Sequence, residues 1–329
     1  MEKSPVVLAI DIGGTTTSFS FIEGCGTCLA ETTLPSMSDK PAECLVESLC
    51  TEARTEFAPL ADRYELKGIG IGAPNTNYYT GIMQNPPNLN WGVMVPLADL
   101  FHRQFQLPVA VTNDANAAAL GEMTYGAAQG MSNFISITLG TGLGSGIVAN
   151  GEIVYGADGF AGELGHTVVD PDGRACACGK RGCLETYVSA PGLCRTVFSL
   201  LAESTHDSVL RQVSFQNLTA LDVYSAACNN DPLALEAFAF TGRILGIKLA
   251  DAVAHTSPEA FFFHGGLASA GDLLLDAARF SMEENLLNIY RGRIPLLLSG
   301  LQARNAGVLG AAALIWDKIH NRKRNSNPR

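Results

Sequence analysis

Residues 6–24 read VVLAIDIGGTTTSFSFIEG, and the architecture follows from this stretch. VVLAIDI is a continuous apolar run that suits a buried strand, Gly13-Gly14-Thr15 interrupts it, and SFSFIEG resumes as a second strand. CLAETTL at 28–34 supplies a third. Beyond it, Leu45, Leu49, Ala53 and Phe57 recur at helical spacing within 41–57, and LKGIGIGAP at 66–74 is a short strand ending in a loop. Residues 75–91 are rich in Asn, Pro, Tyr and Gly, a long surface excursion of the kind that carries binding residues. PVAVTND at 108–114 is another strand, passing directly into the alanine-rich helix ANAAALGEMTYGAA. The second half restarts in the same way: NFISITLGTGLGSGIVANGEIV at 133–154 alternates apolar and β-branched residues around a glycine turn at 140–144. This weak internal repeat suggests two related halves facing one cleft. Helical segments follow near 190–203, 219–228 and 231–256. The strand EAFFFHGG then leads into a helix beginning near Leu267, and RIPLLLSG into a final helix from Asn305 to about Ile319. Alternating strands and helices make the fold class α/β.

Bulk properties remove several classes of function. The chain of 329 residues can hold two domains with sizeable cores. Its longest apolar runs, such as 311–316, fall far short of the roughly 20 residues that span a bilayer, so no membrane partner is expected. A net charge of −10 disfavours a nonspecific grip on nucleic-acid phosphates. Lys318, Arg322, Lys323, Arg324 and Arg329 crowd a terminal tail that reads as a solvated, frayed end. Nine cysteines, an odd number, and no secretory signal place the protein in the cytoplasm.

The cysteines are not evenly spread. ELGHTVVDPDGRACACGKRGCLE at 163–185 packs Cys176, Cys178 and Cys183 behind His166, with Gly179 and Gly182 permitting tight turns. Three soft thiolates and an imidazole make a tetrahedral zinc site, while cysteines two apart bridge poorly as disulfides. Because four protein ligands close the coordination sphere, such a metal is structural. Cys25 and Cys28 form a second CxxC in EGCGTC, but with no histidine or further cysteine pair nearby they read as hairpin-turn residues.

Four further features carry chemistry. In DIGGTTTS, Gly13 and Gly14 let backbone N–H groups approach phosphate oxygens, Thr15 and Thr16 add hydroxyls, and Asp11 can hold a water on phosphate-bound Mg²⁺; the same residues also suit a plain hairpin. Gly140, Thr141 and Gly142 of GTGLG offer a second turn of the same kind. This is not a dinucleotide fingerprint, since Ser145 stands where GxGxxG needs glycine, and no GxxxxGK[ST] occurs. Asn113 and Asp114 lie where a strand meets a helix, so they cap that helix, accept a proton from and bond the hydroxyls of a substrate, or do both. Glu163 and Glu185 bracket the cysteine loop as acceptors for a polyhydroxylated substrate, and a His166 ring bound to zinc through one nitrogen can donate from the other.

DIGGTTTS, GIGAP, PNLNW, NDANAAALGE, LGTGLGSG and the 163–185 loop resemble, in order and spacing, the ROK family of sugar kinases and related repressors, from residue 5 to about 315. The resemblance implies a two-domain actin-like, hexokinase-like ATPase fold with the sugar between the domains. Its N-terminal domain, 1–115, is joined by the C-terminal helix 305–320, and its C-terminal domain, 116–304, carries the zinc loop. By position, the resemblance makes Asp114 the catalytic base and Asn113, Glu163, His166 and Glu185 sugar-hydroxyl ligands. His166, Cys176, Cys178 and Cys183 match the family's structural zinc site. Gly13, Gly14, Thr15, Gly140, Thr141 and Gly142 match its phosphate-binding turns, and Gly265 and Gly266, at a helix start, resemble its adenosine turn. The implied reaction is transfer of the γ-phosphoryl group of MgATP to the 6-hydroxyl of glucose, with N-acetylglucosamine, N-acetylmannosamine, mannose, fructose or allose as alternative acceptors, by a homodimer or homotetramer. A sugar-sensing repressor, the other class in the family, needs a DNA-binding domain ahead of the first strand, where only about five residues stand. One departure touches sugar preference. Many members have glycine after the GxP of the first strand end, whereas this chain has Asn75, in a region where Pro74, Asn75, Asn88 and Trp91 shape the space beside the 2-hydroxyl.

Overall fold

The computed structural model describes residues 3–301 and 304–325, with side chains through His320 in the last helix. Two compact units emerge. The first takes the described residues through Gly130, the segment Ile153–Ala161 and those from Gly300 onward; the second takes Met131–Glu152 and Gly162–Ser299.

In the first unit β1 (Ser4–Ile12), β2 (Thr16–Glu23) and β3 (Cys28–Pro35) form an antiparallel meander, followed by α1 (Ala42–Phe57) and β4 (Tyr64–Gly72). A small ribbon of β5 (Met83–Gln84) and β6 (Met94–Val95) precedes α2 (Leu97–Phe105), β7 (Val109–Thr112) and α3 (Asp114–Tyr125). The sheet runs β3-β2-β1-β4-β7, with β4 parallel to both β1 and β7. Burial of β1 on both faces accounts for its unbroken apolar run. Leu8, Ile10 and Ile12 pack with Leu45 and Leu49 of α1, while Val7 and Ala9 pack on the last helix. Cys25 lies in the β2–β3 turn, where Gly26 has φ 84°, and Cys28 opens β3, so this pair serves a hairpin as its spacing suggests.

The second unit repeats the scheme. β8 (Phe134–Leu139), β9 (Leu143–Ala149) and β10 (Glu152–Ile153) are followed by α4 (Ala190–Glu203), α5 (Ala220–Cys228), α6 (Pro232–Thr256), β11 (Ala260–His264), α7 (Asp272–Asn285) and β12 (Leu296–Leu298). Its sheet runs β10-β9-β8-β11-β12, again an antiparallel start followed by parallel neighbours. Ile135, Ile137, Phe261 and Phe263 bury one face against Leu193, Leu245, Leu249 and Leu274 of the helices. The repeat suspected from two glycine turns is thus a repeat of sheet topology.

The chain closes with α8 (Ala306–Asn325), which packs back on the first sheet and on α3. Small residues make that crossing possible. A methyl on Gly121 would lie 2.7 Å from the carbonyl oxygen of Ala306, and one on Gly310 would overlap the carbonyl of Ala117. This packing keeps α3 in the first unit, so the division falls after Gly130 rather than at the expected 115/116 boundary, and 153–161 also belongs to the first unit. Two local expectations need correction. The helix that begins near Leu267 is only a single 3₁₀ turn, Ala268–Ala270, which ends at Gly271, whose φ is 58°, and the α-helix α7 starts at Asp272. Lys318 is not part of a frayed end, because its Nζ donates to the Val109 carbonyl at 2.8 Å. The side chains of Arg322, Lys323 and Arg324, and all of Arg329, lie outside the described residues. Among the described residues no helix is long and apolar enough to cross a membrane.

Candidate active site and metal cluster

Parallel pairing aligns the C-terminal ends of β1, β4 and β7, with Asp11 beside Gly72 and Gly72 beside Thr112. Asn113 leaves β7 extended (φ −60°, ψ 145°) and caps α3, its Oδ1 accepting from Ala115 N–H at 2.9 Å. The same N–H reaches Asp114 Oδ1 at 2.8 Å, so capping also fixes one oxygen of the candidate base. The capping reading of the Asn-Asp pair is therefore met. Gly72 opens space between the two acids: a methyl there would meet Ala117 at 2.9 Å, the Asp114 Cα at 3.7 Å and Asp11 Oδ1 at 3.8 Å. From the other side Gly307 of α8 fits against the Asp11 carboxylate, 2.8 Å from Oδ1 to where its Cβ would stand.

Burial sets the electrostatics of these carboxyls. Burial, followed by the neighbouring charge of Asp114, pushes Asp11 up from 3.8 to about 7. Burial also raises Asp114, against the pull of backbone N–H groups at the helix start. Repulsion is a property of the pair, so whichever acid ionises first raises the other. Two neighbouring half-buried acids suit a hydrated divalent ion at a phosphate.

The DIGGT turn adjoins this pair. Gly13 N–H bonds the Thr16 carbonyl at 2.9 Å, and Ser36 Oγ donates to the Gly13 carbonyl at 2.6 Å, leaving Thr15 and Thr16 exposed. Asn88, in the PNLNW stretch, packs on the same turn, its Cβ 3.1 Å from where a methyl on Gly14 would stand. Asn75 has φ 48°, in the left-handed region where asparagine is the usual substitute for glycine, and its Nδ2 donates to the Asn85 carbonyl at 3.1 Å. The departure at this position thus preserves the backbone turn.

In the second unit three segments converge on the turn from Leu139 to Leu143. Gly140 N–H bonds the Gly142 carbonyl at 3.0 Å, and Ala190 N–H at the start of α4 holds the Gly140 carbonyl at 2.8 Å. Leu267 N–H bonds the Leu139 carbonyl at 3.1 Å, bringing Gly265 (φ 89°) and Gly266 beside the Gly140–Gly142 turn. Glu185 Oε2 accepts from Leu143 N–H at 2.8 Å. Ser145 Oγ donates to the Gly162 carbonyl and accepts from Leu164 N–H at 3.2 Å, seating the Glu163–His166 turn on β9. The serine that broke a dinucleotide fingerprint therefore ties the GTGLG turn to ELGH.

His166, Cys176, Cys178 and Cys183 close a four-ligand cluster, their ligand atoms all within 4.8 Å of one another. Cys176 Sγ lies 3.8 Å from His166 Nδ1, and Cys178 Sγ lies 3.6 Å from Cys183 Sγ. A tetrahedron with metal–sulfur bonds of about 2.3 Å has edges of roughly 3.8 Å, so the spacing fits zinc. Gly179 (φ 89°) and Gly182 (φ 69°) make the turns that allow it. With Nδ1 toward the thiols, Nε2 points to Glu163, 4.0 Å away. Arg174 supports the loop in a way that the spacing of acids and cysteines does not reveal. Its Nη1 donates to the Thr186 and Gly192 carbonyls at 2.8 and 2.9 Å, its Nη2 donates to Thr196 Oγ1 at 2.9 Å, and its guanidinium lies 4.4 Å over the Tyr187 ring. It clamps the turn holding Glu185 to α4 with no metal involved.

Residues 7–318 match the ROK family as a whole. The chain belongs to the ROK family. Within this ROK protein, sequence similarity is high to the glucokinase of Halalkalibacterium halodurans, 35% identical over 94% of each chain. Among solved structures it resembles a ROK family glucokinase from Streptomyces griseus, in complex with glucose and AMPPNP, at 33% identity with a TM-score of 0.78, covering 94% of this chain and 98% of that one. It also resembles a ROK family transcriptional regulator, a homologue of the E. coli MLC protein, at 28% identity with a TM-score of 0.85, covering 97% of this chain and 79% of that one.

Proposed function

We propose that this ROK protein is an ATP-dependent glucose kinase transferring the γ-phosphoryl group to the 6-hydroxyl. The observation that carries the reading is Asp114, an acid fixed at a helix N-terminus with its basicity raised by burial, in a family whose similar members are named glucokinases. A raised carboxylate is a stronger proton acceptor than a solvated one, and Asp114 takes the hydroxyl proton as the oxygen attacks phosphorus. Asn113 bonds a neighbouring hydroxyl. Glu163 and Glu185 accept from the sugar, and His166 donates to it from Nε2. The Gly13–Thr15 and Gly140–Gly142 turns direct N–H groups and hydroxyls to the phosphates, and Gly265–Gly266 lies beneath the adenosine. Asp11 and Asp114 would hold the water shell of Mg²⁺, which supplies charge neutralisation at the transferring phosphate. Alignment of hydroxyl and phosphate provides most of the rate.

His166, Cys176, Cys178 and Cys183 would hold zinc, which supplies structural cross-linking of the loop. Its ring fixed through Nδ1, His166 keeps the proton on Nε2 for the sugar. Oligomerisation as a homodimer or homotetramer and a cytoplasmic location complete the proposal. The similarity to a transcriptional regulator supports one competing reading, a sugar sensor without turnover. ADP release with MgATP across glucose, mannose, fructose, allose, N-acetylglucosamine and N-acetylmannosamine separates the two. Turnover strongest with glucose is expected, while sugar binding without ADP release from any of them would leave the sensor.

A further inference from the structure

Glu185 touches more than a sugar site requires. Its Oε2 accepts the Leu143 N–H at 2.8 Å, and it fills the space where Gly142 would otherwise carry a side chain, since a methyl there would overlap Oε2 and lie 3.3 Å from Cδ. Gly142 and Leu143 are the second half of the GTGLG turn, whose first half is held by Ala190 N–H on the Gly140 carbonyl. Among the described residues, the Leu143 N–H at the end of that turn thus meets a carboxylate from the metal loop. The position of this carboxylate is fixed in turn by Arg174 on the following Thr186 carbonyl and by the Cys183 carbonyl, which accepts Thr186 N–H at 3.0 Å.

We infer that Glu185 is a positioning residue for the nucleotide as well as a ligand for the sugar, one oxygen shaping the phosphate turn and the other receiving a sugar hydroxyl. This rests on the kinase reading above. A hydroxyl bonded to one oxygen restrains the whole carboxylate and so pre-forms the turn, and linkage makes the effect reciprocal: bound nucleotide tightens sugar by the same factor. The geometry makes coupling between the two substrates a local event around a single carboxylate.

The test measures binding by titration calorimetry, using glucose alone and the Mg²⁺ complex of the β,γ-imido analogue of ATP alone. Loss of a charge-assisted hydrogen bond to a backbone N–H weakens analogue binding about tenfold in Glu185→Ala without any sugar present. Glu185→Gln keeps an oxygen acceptor for Leu143 N–H and holds analogue affinity within about threefold of wild type, although its glucose affinity falls. Gly142→Ala displaces the carboxylate and weakens glucose, a ligand that Gly142 itself does not serve. Wild-type analogue affinity in sugar-free Glu185→Ala overturns the inference. Should circular dichroism show that variant unfolded, Gly142→Ala decides, and unchanged glucose affinity overturns it equally. A wild-type protein that binds neither ligand refutes the kinase reading instead, a separate result.

Discussion

Replacing Asp11 by asparagine should stabilise the protein while disabling it. Its carboxyl is pushed from 3.8 to about 7, by burial first and by Asp114 second. The native state therefore holds a proton on Asp11 that the unfolded chain releases from about pH 4 upward. Native binding of more protons means that stability falls as pH rises through this window and levels off above pH 7. At about 1.4 kcal/mol per pH unit, the rise from 3.8 to about 7 makes ionised Asp11 cost the fold about 4 kcal/mol at pH 8. An asparagine amide bears its own desolvation cost, so about half of this, roughly 2 kcal/mol, should appear as a gain. At about 2–4 °C per kcal/mol, the melting temperature rises by roughly 4–8 °C at pH 8. At pH 4 the gain should give way to a loss of roughly 2 kcal/mol, because aspartic acid is then neutral and only the amide's own desolvation cost remains. Thermal melts of both proteins from pH 4 to 8, in metal-free buffer, give the difference curve directly. A variant equally or less stable than wild type at pH 8 would falsify the electrostatic reasoning. A stabilising change at a residue needed for turnover is the signature of strain kept for function.

Three further outcomes follow from the geometry. Asp114→Asn keeps glucose affinity within a few-fold and lowers kcat by about 100-fold or more in steady-state kinetics, as loss of a general base requires. The purified protein carries one equivalent of zinc per chain by elemental analysis, and Cys183→Ala loses it with a rise of about tenfold in the KM for sugar, since Glu163, His166 and Glu185 share that loop. Gly310→Ala, whose methyl would overlap the Ala117 carbonyl where α8 crosses α3, costs about 1–3 kcal/mol in urea unfolding.

What the sequence disclosed were features that local chemistry determines. Burial of β1 on both faces is written in VVLAIDI, the α3 cap in Asn113-Asp114, and the candidate metal site in one histidine and three cysteines within 18 residues of chain. Long-range consequences were hidden. Nothing local to Arg174 shows that it reaches the carbonyls of Thr186 and Gly192, and nothing near Glu185 shows that it ends on Leu143 N–H. Segment Ile153–Ala161 leaves the second unit for the first, where Tyr155 stacks on Tyr78 with ring centroids 4.0 Å apart and Asn77 Nδ2 donates to the Asp158 carbonyl at 2.6 Å. No periodicity encodes such an excursion. The delayed start of α7 depended on the positive φ of Gly271, a backbone choice that glycine permits without announcing.

In the proposed reaction phosphate moves from ATP to the 6-hydroxyl of glucose with Asp114 as the base. Phosphorus and carbon NMR of a reaction containing MgATP and uniformly labelled glucose tests it directly. A single sugar phosphate coupled to carbon 6 is expected, formed at the rate of ADP appearance and nearly absent with Asp114→Asn. Phosphate on another carbon, ADP without a sugar phosphate, or undiminished product from the variant would contradict it.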